Sequence, residues 1–315
     1  MKVLVTGGCG FIGSHLVDNL LAEDHDVVIV DNLLRGRYIW DDCDVKPSLY
    51  KVDIQDHVNL LNVFKEVRPE MVFHLAAHHY IPFCEQNPYE AFSTNVTGTL
   101  NVLDACAKTS SVRKFFNAST GDVYPPCGYD HRETDQVSPV YVYGETKLIA
   151  EQAVRRYKNS VGVPFDIVIG RLFNAAGARE TNPHFLPEVV RQLDAGVKTI
   201  EIGNTWPARD FIDVRSMAKV IQLLTERSSG IDIFNIGSGS PKTVQQALDI
   251  LIQVHGQSVK VVSKEERKRP NDRPYLCPSV EKLTSVLGEA CKSFDEETAK
   301  DIWAEPDITR ILYTK

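Results

Sequence analysis

Tyr143 and Lys147 stand in the segment Tyr143-Gly144-Glu145-Thr146-Lys147. On a helix, positions i and i+4 share a face, so a phenol and an ammonium can converge on one point. A nearby cation favours phenolate and draws a tyrosine pKa down from about 10 toward neutrality. Tyr143 is therefore a candidate general acid/base for a hydroxyl. A solvent-facing helix with a surface lysine has the same spacing, so the pair needs partners. Ser119 and Thr120 close the run Lys114 to Ala118. A hydroxyl there can reach the oxygen that Tyr143 titrates; an ordinary Ser/Thr turn is the alternative.

A second chemical feature lies at the start of the chain. The apolar run Val3 to Val5 breaks into Thr6-Gly7-Gly8-Cys9-Gly10-Phe11-Ile12-Gly13. A helix-period segment follows (Leu16, Leu20, Leu21), then the apolar run Val27 to Val30, which ends on Asp31. Strand, glycine turn, helix, strand and acid form the pattern of a dinucleotide site. Gly7, Gly8 and Gly10 let the backbone turn and approach a pyrophosphate. The free N–H groups and positive dipole at the helix start, around Phe11 and Ile12, favour its charge. Gly13 permits close helix–strand packing. Asp31 lies 18 residues past Gly13, near the offset of about 20 at which an acid holds the ribose hydroxyls. It would repel a 2′-phosphate, so NAD is expected over NADP. Arg35 and Arg37 could hold such a phosphate, but solvated loop arginines are the favoured reading.

Positioning these groups requires a sheet. Short apolar runs at 2–6, 26–31, 48–53, 71–75, 112–119 and 165–171 alternate with helical patterns at 12–23, 57–67, 88–108 and 142–161. That alternation predicts an α/β, Rossmann-type doubly wound parallel sheet whose strand C-termini share one edge. After Arg171 the pattern becomes irregular, with loops at 174–187, 203–210, 237–242 and 269–279. Ile231 to Ile236 reads as a strand returning to the sheet. The expected division is a dinucleotide-binding domain at 1–170, with a return segment about 211–236, and a smaller discontinuous substrate lobe at 171–210 and 237–315.

Composition narrows the function. The 315 residues carry a net charge of −7, with 43% hydrophobic and 24% charged residues. There is no basic footprint for nucleic acid, no apolar stretch of about 18 residues for a membrane span, and no visible signal peptide. Seven scattered cysteines show no C-x-x-C spacing. Reduced thiols in a cytoplasmic protein are expected, and no metal site.

The chain resembles the extended short-chain dehydrogenase/reductase family, in particular its NAD-dependent nucleotide-sugar epimerases and dehydratases. The motifs span nearly all of it: TGGCGFIGSHL at 6–16, Asp31-Asn32-Leu33, Val52-Asp53, HLAA at 74–77, NVTGTLNVL at 95–103, STGDVYP at 119–125, YGETK at 143–147, GRLFNAAG at 170–177, ARDFIDV at 208–214, NIGSG at 235–239 and RPND at 269–272. The resemblance implies that the turn of Gly7, Gly10, Phe11, Ile12 and Gly13 holds NAD together with Asp31 and Asn32. Asp53 and Ile54 would flank the adenine, Leu75, Ala76 and Ala77 would line the dinucleotide, and Asn95 would lie behind the nicotinamide. Thr120, Tyr143 and Lys147 would form the catalytic triad, with Lys147 also on the nicotinamide ribose. Asn174 and Arg209 would hold a nucleotide diphosphate, with Arg269 at the far end of that cleft. The helices at 88–108 and 142–161 would build a homodimer.

The same resemblance frames the reaction. These enzymes oxidise the sugar at C4. An epimerase then returns the hydride to the other face, whereas a 4,6-dehydratase carries Asp-Glu after the hydroxyl residue and a uronic-acid decarboxylase carries Glu at the second of those positions. Here the positions are Gly121 and Asp122. Gly121 disfavours dehydration, so 4-epimerisation leads, with a dehydratase or decarboxylase as alternative. Asp122 is a further catalytic candidate, though a turn-forming loop aspartate is the favoured reading. Other departures are Pro125-Pro126, Asp213 and Arg215, and HHYIPFCEQNP at 78–88, which brings His78, His79 and Tyr80 toward the substrate mouth. His79 is expected to contact substrate, as polar lining rather than as a catalyst. A module that binds without turnover and a reductase that releases NADH are the competing classes.

Overall fold

The computed structural model describes residues 1–268 and 272–305. The first half runs β1 (Lys2–Thr6), α1 (Phe11–Ala22), β2 (Asp26–Val30), β3 (Ser48–Tyr50), α2 (His57–Val67), β4 (Met71–His74), α3 (Ile81–Gln86), α4 (Pro88–Phe92), α5 (Thr99–Ala107), β5 (Lys114–Thr120), α6 (Val142–Arg156) and β6 (Asp166–Leu172). The second half runs β7 (Asn174–Ala176), α7 (Phe185–Asp194), β8 (Thr199–Ile202), β9 (Ala208–Arg209), β10 (Phe211–Asp213), α8 (Val214–Arg227), β11 (Ile231–Ile236), β12 (Lys242–Thr243), α9 (Val244–His255), β13 (Lys260–Ser263), β14 (Tyr275–Leu276), α10 (Glu281–Leu287) and α11 (Glu296–Ala304).

Seven strands form one parallel sheet in the order β11-β6-β5-β4-β1-β2-β3. The direction of winding reverses between β1 and β4, so a crevice opens beyond their C-terminal ends, where ligands of such sheets bind. Alternate strand residues face opposite layers. Val3 and Val5 pack with Leu16 and Leu20 of α1 and Ile221 of α8, whereas Leu4 packs with Phe64 of α2 and Leu103 of α5. The expected Ile231–Ile236 strand does return, pairing with β6 from Ile231↔Ile167 to Ile236↔Leu172.

The structure departs from the sequence reading in three places. The strand expected at 48–53 ends at Tyr50, because the chain turns there to bring Asp53 back toward Asn32. The helix expected at 88–108 is interrupted by a π-helical turn at Ser93–Gly98. The irregular loops contain the short strands β7, β9, β12 and β14, which pair with chain far away in sequence (β10 with β7, β12 and β14 with β9). Elements of two or three residues carry no readable period. A third apolar cluster, with Val189, Ile200, Phe211, Leu248 and Ile302, forms the core of the lobe.

A buried ion pair locks α6 to the sheet. Arg171 on β6 donates from Nε and Nη2 to both oxygens of Glu151 on α6, at 3.0 and 2.8 Å. Both side chains are almost fully buried, at 4% and 2% exposed. Ser119 of β5 donates to the same carboxylate at 2.5 Å. Arg171→Met would leave the buried Glu151 carboxylate without its partner. Unfolding in urea should show a stability loss of about 3–5 kcal/mol, and an unchanged midpoint would show that the pair does not hold the helix.

Candidate active site

A cleft of about 940 Å³ lies over the strand ends. Its floor is the glycine turn. Gly7 adopts φ +72°, and a Cβ there would meet Ala76 N at 2.7 Å. A Cβ on Gly13 would lie 2.1 Å from Gly7 O. The first helical bond of α1 runs from Ser14 N–H to Gly10 O, so the amides of Phe11, Ile12 and Gly13 lack acceptors within the helix and suit an anion. Asp31 ends β2 with its carboxylate held by Leu33 N–H at 2.8 Å and Cys9 N–H at 3.1 Å. Burial raises its pKa. The Asn32 amide donates to Asp53 at 2.8 Å, joining the two residues expected at the adenosine end. Ile54, Leu75, Ala76 and Ala77 line the same wall. Arg35 is exposed, as a solvated loop arginine is, and its guanidinium sits 5.9 Å from the Phe83 ring centroid. The cradle that a Cβ would fill, the free helix-start donors and the acid at the second strand fit a dinucleotide.

Asn95 does not line the cleft. It stands behind the wall in the π turn and is buried. Its side chain accepts from His78 N–H at 2.8 Å and donates to His78 O and Thr146 Oγ1, each at 2.9 Å. It therefore pins the chain after β4 to α6. His74, at the end of β4, bridges Thr6 Oγ1 at 2.8 Å and Thr99 Oγ1 at 2.9 Å. Thr99 donates to Asn95 O, so His74 must donate from Nε2 and accept at Nδ1. Burial holds its pKa down to about 3, which keeps it neutral.

Thr120, Tyr143, Lys147 and Asp122 all line the cleft. Ser119 is withdrawn from that group by its bond to Glu151. Thr120 Oγ1 accepts from Asp122 N–H at 3.2 Å, and the Thr120 side chain is hydrogen-bonded to Tyr143. The expectation that Lys147 lowers the tyrosine pKa is not met in this state. Burial pushes the Tyr143 phenol well up, and the Asp122 carboxylate adds to it, against the Thr120 hydrogen bond. Lys147 is also buried, which draws its ammonium down to about 8 against the attraction of Glu151. For each group the loss of hydration outweighs the partner that favours its charged form, the Thr120 hydrogen bond for Tyr143 and Glu151 for Lys147.

Asp122 also differs from the expected turn aspartate. Its carboxylate makes no turn bond but faces Arg273, with Nη2 3.6 Å from Oδ1 and 3.3 Å from Asp122 O. Arg273 is buried, a residue the sequence reading missed. Gly121 packs against Phe173, whose ring a Cβ would meet at 2.9 Å.

At the lobe side, Asn174 lines the cleft with a buried Oδ1 that has no hydrogen-bond partner among the described residues. Arg209 also lines it and pairs with Asp272 at 2.9 Å. Arg269 lies outside the described residues. His78 packs on Phe83, with centroids 4.7 Å apart. His79 meets Asn182 at 3.1 Å and the His184 ring at 5.4 Å between centroids. The sequence reading places Glu180, Asn182 and His184 only in a loop; the Glu–His spacing of i and i+4 just before α7 is the signal that could have found them. The departures at Asp213 and Arg215 do not line the cleft. Asp213 caps α8 at Ser216 N–H and accepts from Thr298, and Arg215 pairs with Asp301.

The cradle makes a sharp prediction. Gly13→Ala must displace Gly7 or α1, so its affinity for NAD, read by fluorescence titration, should fall by about tenfold or more, equivalent to about 1.4 kcal/mol. Unchanged binding would show that the close approach is not needed.

Residues 3–237 match the NAD dependent epimerase/dehydratase family. A UDP-glucose 4-epimerase of Corynebacterium glutamicum is 32% identical over 96% of this chain and 95% of its own length. Among solved structures, the Thermus thermophilus UDP-glucose 4-epimerase in complex with NAD superposes with a TM-score of 0.85 at 29% identity, covering 99% of both chains. A UDP-N-acetylglucosamine 4-epimerase from Methanobrevibacter ruminantium M1, in complex with UDP-N-acetylmuramic acid, reaches 0.82 at 27% identity over 96% of this chain and 98% of that one. The glycine cradle, the acid at the end of β2 and the Thr–Tyr–Lys grouping agree with these likenesses over the whole fold, and the chain belongs to the NAD dependent epimerase/dehydratase family.

Proposed function

We propose that this protein is an NAD-dependent nucleotide-sugar 4-epimerase that works through a transient 4-keto sugar, with a UDP-sugar as substrate. The observation that carries this reading is that Thr120 and Tyr143, hydrogen-bonded to each other, and Lys147, one helical turn from Tyr143 on α6, line the same cleft as the glycine cradle. NAD, when bound, supplies a hydride acceptor that gives the hydride back. It would be held by Gly7, Gly10, Phe11, Ile12 and Gly13 at the phosphates, by Asp31, Asn32, Asp53 and Ile54 at the adenosine end, by Leu75, Ala76 and Ala77 along the wall, and by Tyr143 and Lys147 at the nicotinamide ribose. Asn95 positions that wall from behind.

The chain's part is proton handling and orientation. Tyr143 Oη takes the proton of the sugar 4-hydroxyl as C4 is oxidised, and gives it back to the same oxygen as C4 is reduced from its other face. Thr120 hydrogen-bonds that oxygen and the phenol. Lys147 supplies the positive charge that a phenolate needs in a site whose burial opposes it. Asn174 and Arg209 hold the diphosphate, and His79 borders the sugar. No acid stands at Gly121 to expel a 6-hydroxyl, and Asp122 is turned to Arg273, so neither dehydration nor decarboxylation is favoured.

Residues 1–170 with about 211–236 would carry the cofactor, and 171–210 with 237–315 the substrate, of which 306–315 lie outside the described residues. Among the described residues no helix is long and apolar enough to cross a membrane. The seven scattered cysteines, without C-x-x-C spacing, support a reducing, cytoplasmic setting.

Incubation with UDP-glucose, UDP-N-acetylglucosamine or their uronates should yield a 4-epimer of unchanged mass, without consumption of added NAD. Loss of water or CO₂, or no product from any of them, would overturn the reading. Tyr143→Phe should lower kcat by about 10²- to 10⁴-fold. Tyr89 on α4 is 85% exposed beside α6, which supports a homodimer through these helices. Light scattering should then give twice the chain mass, and a monomer at micromolar concentration would refute it.

A further inference from the structure

One group of side chains in the cleft moves no proton or hydride in this chemistry. His79 follows β4, while Glu180 and His184 lie one helical spacing apart just before α7. One ligand atom from each lies within 4.8 Å of the others. His184 Nδ1 stands 3.3 Å from Glu180 Oε2. Donors bound at 2.0–2.1 Å to a tetrahedral ion are about 3.3–3.4 Å apart, so this edge already has the length that a bound ion would impose.

The charge balance points the same way. Glu180 is 5% exposed, and among the described residues no lysine or arginine pairs with it. Its partners are Asn182 N–H at 2.9 Å, the Asn182 amide at 3.4 Å and His184. A buried carboxylate is costly unless a cation meets it. Asn182 touches both His79 and Glu180 and orients them, as outer partners of metal ligands do.

We propose that His79, Glu180 and His184 form a binding site for one divalent transition-metal ion of the Zn²⁺ or Fe²⁺ class. Two imidazoles and one carboxylate suit such ions better than Mg²⁺ or Ca²⁺, which prefer oxygen. All three residues line the cleft, so the remaining coordination positions face the substrate space and accept water or a substrate oxygen. The inference goes beyond the epimerase reading, and its test does not depend on turnover.

A second His/Glu group, Glu23, His25 and Glu226, is more exposed, and its Glu23 is already engaged by Lys219 and Gln222. With exposed Cys43 it serves as the control. The NAD-loaded protein carrying Cys43→Ser is titrated with Co²⁺ and followed by its visible d–d absorption, and with Zn²⁺ against a chromogenic chelator. One equivalent should bind and give a band stronger than that of aqueous Co²⁺. Glu180→Gln and His184→Ala should each weaken Zn²⁺ by about tenfold or more, while Glu226→Gln leaves it unchanged. If either cleft variant fails to fold by circular dichroism, His79→Gln takes its place. Absence of a protein-bound Co²⁺ band, or equal Zn²⁺ affinity in the cleft variants, overturns the proposal.

Discussion

The buried pair of Arg171 and Glu151 sets the geometry on which the cleft depends. Both charges lie out of water, so each is stable only while the other is in place. Glu151, Lys147 and Tyr143 follow one another at helical spacings along α6, so fixing Glu151 against β6 fixes the face that carries the other two. The same carboxylate takes the Ser119 hydroxyl, and Arg171 Nη1 donates to Tyr124 Oη at 2.7 Å. Tyr124 in turn donates to Asn235 on β11. One network thus ties the ends of β5, β6 and β11 to α6. It also separates Ser119 from Thr120: the first is consumed in holding the helix, and the second remains beside Tyr143.

Around that anchor, burial decides the electrostatics of the site. Tyr143 and Lys147 are both driven toward their neutral forms by burial. Asp122 would deepen the effect on the phenol, but its own carboxylate is answered by Arg273. His74 is neutral for the same reason and acts as a strut between β1, β4 and α5. The cleft is thus lined by groups whose charge states respond strongly to whatever ligand charge enters.

Much of this was legible in the chain because it is written in local patterns. The strands β1, β2 and β4 are apolar runs, the turn at Gly7 needs a residue without Cβ, and the i,i+4 spacing of Tyr143 and Lys147 is a property of any helix. The rest depends on contacts distant in sequence. Strands of two or three residues in the lobe exist only because β9 meets β12 and β14 and β7 meets β10. The break in the helix at Ser93–Gly98 serves Asn95, whose partners are His78 and Thr146. The role of Asp122 cannot be seen without Arg273, 151 residues away.

The sequence alone determined the parallel sheet, the dinucleotide cradle and the acid that favours NAD, because periodicity, missing Cβ atoms and one carboxylate at a set offset are local constraints. Tertiary structure alone decided which hydroxyl serves Tyr143, which way the two pKa values move, and that His79 meets Glu180 and His184. Those outcomes depend on burial and on distances between segments about one hundred residues apart, and desolvation is a property of the packed molecule, not of the residues read in order.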